Sequence, residues 1–184
     1  PTSITLILHK ISKDFSKLKK IFSFITEIMN NEDPGSENKP NYKVCASTVI
    51  LGSILESGLD TTSSSYEKIV KFFPELLSTL ILRIGSAHSI NYTFDAFKTK
   101  ENDPRNQAVW ALQQLVKYSK FSEISSCLQT GGSIQQKLMD VNEYDEGIYE
   151  LMMICCQKLD YESQSTMFDF LENFKEYVKR DYFI

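Results

Sequence analysis

The chain has 184 residues, a net charge of −4, 42 % apolar and 24 % charged residues. That is enough for one domain with a real core, and the proportions are those of an ordinary globular protein. They exclude a whole-chain basic field for nucleic acid, and no apolar run reaches the ~18 residues a membrane span needs.

Residues 1–20 hold Lys10, Lys13, Lys17, Lys19 and Lys20 against Asp14 alone, whereas residues 140–176 hold ten acids against Lys158 and Lys175. Such runs read as solvated helix faces; the sharper alternative is an electrostatic contact at either end. The chain opens on Pro1 without a Met or a signal peptide, which predicts an intracellular, cytoplasmic piece of something longer.

Leu18, Ile21, Phe22, Ile25, Ile28 and Met29 recur at helical spacing and predict the first clear helix. Residues 30–41, with Pro34-Gly35 and Pro40, read as a loop. Val44 to Leu55 is the next helix, with Cys45, Val49, Ile54 and Leu55 inward and Gly58 as its C-terminal stop. Residues 58–65 are polar and offer helix caps at Thr61 to Ser65.

Lys71 to Ser86 is the most apolar stretch. Its large residues do not alternate as in a strand. At helical spacing Leu76, Leu77, Leu80, Ile81 and Ile84 share one face, and Glu75, Ser78, Thr79 and Arg83 fall on the other. Pro74 suits a first turn, Gly85 a stop, and Arg83 the negative end of the helix dipole. Tyr66, Ile69, Val70 and Phe73 before it form either a separate helix or the same one kinked at Pro74.

Residues 86–102 read as an irregular connection. Asp103-Pro104 then opens a helix to about Tyr118, with Ala108, Leu112 and Leu115 on one face and Trp110 and Ala111 beside them. A short helix from about Ser122 ends at Gly131-Gly132. Ser133 to Gln136 has the spacing of a capping box. Asn142 is the expected cap of a helix lined by Ile148, Leu151, Met152, Cys155 and Leu159. Asp160 is that of a last helix lined by Met167, Phe170, Leu171, Phe174 and Val178.

The whole reads as one all-α unit over residues 1–184, with about eight helices pairing at a period of roughly 40 residues. That predicts a HEAT/armadillo-like α-solenoid of stacked antiparallel helix pairs, each leaving apolar surface for its neighbour to cover.

Pro104 to Leu115 resembles a HEAT helix through Arg105, Ala108, Ala111, Leu112 and Leu115, with Pro104 where such helices commonly carry Val. Phe73-Pro74, Leu76-Leu77 and Leu80 to Gly85, followed by Gly131-Gly132, Leu138 and Tyr144-Asp145-Glu146-Gly147-Ile148, resemble the maestro heat-like repeat family over about residues 40–184. Ser133-Ile134 departs from it, since that family often places Trp after the glycine turn. The resemblance implies an intracellular segment of a longer solenoid, packed on adjacent repeats, with no established catalytic site.

No phosphate loop or nucleophile motif is present. His9 and His88 lie far apart, and Cys45, Cys127, Cys155 and Cys156 have no zinc spacing, so they read as structural thiols in a reducing compartment. Asp145 and Glu146 suit a helix start better than acid–base work. Asn91-Tyr92-Thr93 is a glycosylation signal only in a secreted chain.

The expectation is therefore a non-catalytic protein-interaction scaffold without catalytic, cofactor or metal residues. Its partners are unknown proteins, and Tyr118, Phe121 and Tyr161 are candidate contacts. The alternative is nucleic-acid or anionic-membrane contact through the basic N-terminal helices.

Overall fold

The computed structural model describes residues 14–32, 35–36, 39–57, 71–88, 103–118, 122–129, 131–158, 164–165 and 168–169. Among them run seven helices: α1 (Phe15–Asn31), α2 (Tyr42–Glu56), α3 (Phe73–His88), α4 (Pro104–Tyr118), α5 (Ser122–Leu128), α6 (Ser133–Met139) and α7 (Tyr144–Lys158).

Asp14 caps α1, its carboxylate accepting from the Lys17 amide at 3.2 Å and pairing with Lys17 Nζ at 3.0 Å. These bonds hold the Asp14 carboxyl below its ordinary pKa. Leu18, Phe22, Ile25 and Met29 are buried, and Ile21 packs against the core beside them.

The expected 30–41 loop is more ordered than the sequence suggests. Gly35–Ser36 (β1) and Lys39–Pro40 (β2) pair antiparallel, with Gly35 opposite Pro40. Gly35 takes a φ of 98°, a left-handed value that a Cβ disfavours. Glu32 ties the ends of the excursion, accepting from Asn41 Nδ2 at 3.0 Å and Lys43 Nζ at 3.1 Å. Asn41 caps α2 in turn, its Oδ1 accepting from the Lys43 amide at 3.0 Å. The helix thus begins at Tyr42, two residues before the expected Val44.

A turn at Lys71–Phe72 precedes α3, and Pro74 sits in its first turn. Gly85 does not stop it; α3 runs on to His88. Arg83 is therefore not in the last turn.

Asp103-Pro104 opens α4 as expected, the Asp103 carboxylate accepting from the Arg105 amide at 2.8 Å. α4 is the hub: it packs against α2, α3, α5 and α6. Ala108 and Ala111 are fully buried there, and such small side chains let neighbouring helices come close. α1 lies against α2 and α3, while α6 and α7 form a second pair joined through α5 to α4.

Two expected caps move. Gly132, not Ser133, occupies the N-cap of α6 and offers no side chain; Gln135, not Gln136, reaches back, to the Gly131 amide at 3.3 Å. Gly131 makes the turn with φ 83°. Before α7 the polar turn belongs to Asp140, whose carboxylate accepts from the Asn142 amide at 2.8 Å, and Asn142 does not cap the helix. Each spacing rule was satisfied locally, but the chain turned one or two residues away.

The loops at 58–65 and 89–102, Gly58, the Tyr66–Val70 stretch, Leu159 and the Asp160 cap lie outside the described residues. So do Met167, Phe170, Leu171, Phe174 and Val178, along with His9, Lys10, Lys13 and the Asn91 sequon.

Candidate functional site

α3 is where the sequence expectation and the structure differ most. Its apolar face behaves as expected: Leu76, Leu77, Leu80, Ile81 and Ile84 are all buried. Its polar face does not face water. Ser78, Thr79 and Arg83 are also buried, and Glu75 is half-covered.

Burial of polar groups requires hydrogen bonds, and most are found. Ser78 Oγ donates to the Pro74 carbonyl at 2.8 Å, within its own helix. The hydroxyl of Thr26 on α1 lies 3.0 Å from a Glu75 carboxylate oxygen and 3.0 Å from the Phe22 carbonyl, so its single proton serves one at a time. Tyr144, opening α7, donates its hydroxyl to the Ile81 carbonyl at 2.5 Å. Burial pushes this phenol well above its ordinary pKa. The ring lies so close over Gly85 that a Cβ there would come within 2.7 Å of Tyr144 Oη.

Arg83 is treated less fully. Its Nη1 donates to Ser86 Oγ at 3.3 Å and its Nη2 points at Cys45 Sγ on α2, 3.5 Å away. Nε has no acceptor, nor has the hydroxyl of Thr79 one turn earlier. Cys45 itself is raised in pKa, chiefly by burial, with the Arg83 charge opposing.

The thiols are all free; Cys45 and Cys155 are buried, Cys127 and Cys156 half-buried. Burial pushes Cys155 up to about 12, which makes it unreactive. Among the described residues no three His, Cys, Asp or Glu side chains gather as a metal site. Asp145 and Glu146 lie in the first turn of α7, where the dipole favours them. Glu146 and Glu150 both bind Lys137 Nζ at 2.7 Å, pinning α6 to α7 and raising the pKa of that ammonium.

The outer surface carries the other candidate. Tyr149 and Met153 stand one turn apart on the side of α7 away from its buried Leu151 and Cys155, and they are 64 % and 45 % exposed. Phe24 on α1, and Tyr42 and Ile50 on α2, are also exposed. None of these was singled out from sequence. The stripe rule finds a helix's inner face and is silent about single apolar residues outside it.

Tyr118 ends α4 but its side chain lies outside the described residues, as do Phe121, Tyr161 and the side chain of His88. Of the basic N-terminal residues, Lys17, Lys19 and Lys20 are exposed.

Fold and surface together define a class: a helical protein whose helices pack on one another, with no helix of the described residues long and apolar enough to cross a membrane. Comparison with family models, curated proteins and solved structures finds no match.

Proposed function

We propose that this chain is a non-catalytic protein-interaction scaffold, an intracellular segment of a HEAT-like α-solenoid of the kind its resemblance to the maestro heat-like repeat family implies. The observation that carries the reading is the outer face of α7. Tyr149 and Met153 lie side by side in water there, on a helix whose inner face is already satisfied by Leu151, Met152 and Cys155. An amphipathic helix normally places polar residues outward. A Tyr–Met pair offers a partner apolar area made of residue types enriched in interfaces.

The test compares the protein with a Tyr149→Glu/Met153→Glu double variant. Partners captured from a cell extract are identified, and the binding of one of them is then measured with purified components. The expected result is at least tenfold weaker binding by the variant, with an unchanged circular dichroism spectrum and little change between about 50 and 200 mM salt. Equal binding by both forms would remove α7 from the reading. Capture of nucleic acid or anionic vesicles with a steep salt dependence would favour the basic face of Lys17, Lys19 and Lys20 instead.

A further inference from the structure

Between Lys43 and Glu56, α2 runs through twelve residues without a charge. A helix with no polar face is normally buried all round. This one is not. Its buried side packs against α1 and α4. Its other side meets water: Tyr42 is 56 % and Ile50 45 % exposed, Ala46 is exposed, and Val49 and Ser53 are half-buried. On α1, by contrast, the exposed side carries the charges of Lys17, Lys19, Lys20 and Glu27.

The exposed face of α2 reads alike from either end. At about 100° per residue, Ala46 and Ser53 lie along its middle, with Val49 on one flank and Ile50 on the other. Lys43 and Glu56 close the two ends, at equal distances from the Val49–Ile50 midpoint. A two-fold axis at that midpoint sets Ala46 of one copy on Ser53 of the other, and these small side chains let the helices approach closely. It also brings Val49 to Val49 on one flank and Ile50 to Ile50 on the other. Each end of such an antiparallel pair holds Lys43 of one copy at the level of Glu56 of the second. A parallel pair would set Lys43 level with Lys43 and Glu56 with Glu56, like charge by like charge. Lys43 also holds Glu32 at 3.1 Å, but its side chain is 72 % exposed and keeps donors turned to solvent.

We propose that the outer face of α2 is a self-association surface, on which a second copy of this chain packs its own α2 antiparallel about a two-fold axis between Val49 and Ile50. A two-fold interface needs one patch that complements itself, and this face does so in size, apolarity and charge. A single helix pair falls short of the ~1,200–2,000 Å² of a standard interface, so the dimer is weak and its population rises with concentration. The surface is separate from the Tyr149–Met153 face of α7.

Analytical ultracentrifugation of the whole chain over a wide concentration range is the test. The expected result is a mass that climbs from one copy towards two and no further. Ile50→Glu sets two carboxylates together at the axis and should weaken association at least tenfold, with an unchanged circular dichroism spectrum. Glu56→Lys should weaken it, and Lys43→Glu/Glu56→Lys should restore it. Tyr149→Glu/Met153→Glu should leave it intact, which separates this proposal from the reading of α7. Under mild oxidation with diamide, Ile50→Cys should give a disulfide-linked dimer well above the wild-type background, and Lys43→Cys should not. A chain that stays monomeric at every concentration would overturn the proposal, whether Ile50→Glu then leaves the melting temperature unchanged or lowers it because the face is covered from within the chain. So would a dimer that Ile50→Glu does not weaken, or cross-linking through Lys43→Cys in preference to Ile50→Cys.

Discussion

Leu80→Asp unfolds the protein: its circular dichroism loses the helical minima at a temperature where wild type is fully folded. Leu80 has no exposed surface, and it sits midway along a helix buried on both its apolar and polar sides. Removing a leucine side chain from such a site costs about 2–5 kcal/mol before any charge is counted. The carboxylate adds a desolvation penalty of several kcal/mol unless it takes a proton. Total stability for a domain of this size is about 5–15 kcal/mol, so the two terms together consume most of it. A soluble variant with the wild-type spectrum and melting temperature would place Leu80 in water, against the packing described for α3.

Gly52→Ala is the second large effect, and it comes from adding one methyl group. Gly52 lies on the buried side of α2 against α4, and the Trp110 ring rests on it. A Cβ at Gly52 would stand 2.2 Å from Trp110 Cζ3 and 2.6 Å from Cε3. Real Cβ atoms do not come that close, so the ring or the α2–α4 spacing must shift. Overpacking of this kind costs about 1–3 kcal/mol and sometimes more. It outweighs the ~1 kcal/mol that alanine gains over glycine in a helix. The cost should fall on a Trp110→Ala background, where the space is open. Chemical denaturation of the two single variants and the double variant then shows a coupling of at least ~1 kcal/mol. Additive effects would mean that Gly52 is not the seat of Trp110.

Much of this architecture was legible in sequence because a helix announces its inner face through its own periodicity. Leu18, Phe22, Ile25 and Met29 share one side whatever packs on them, and Asp103-Pro104 caps α4 through residues that touch. The failures share another cause. Ser78, Thr79 and Arg83 look like a solvent face when α3 is read alone; that α1 and α2 come up against that side depends on contacts many residues away in sequence. Gly85 looked like a stop because glycine often ends helices. It is there because the Tyr144 ring, 59 positions later, occupies the space a Cβ would need. Gly52 carries the same meaning for Trp110. The exposed Tyr149–Met153 pair has no signature of its own, since two apolar residues one turn apart read as an inner face when a helix is taken alone.

α3 lies in the interior of the packed helices, enclosed on its polar as well as its apolar side. Native-state hydrogen exchange of the backbone amides tests it most directly. Protection near the global unfolding free energy is predicted for residues 77–84 of α3 and 108–116 of α4, with faster opening in the second half of α7. Amides of α3 exchanging as fast as those of α7 would contradict it.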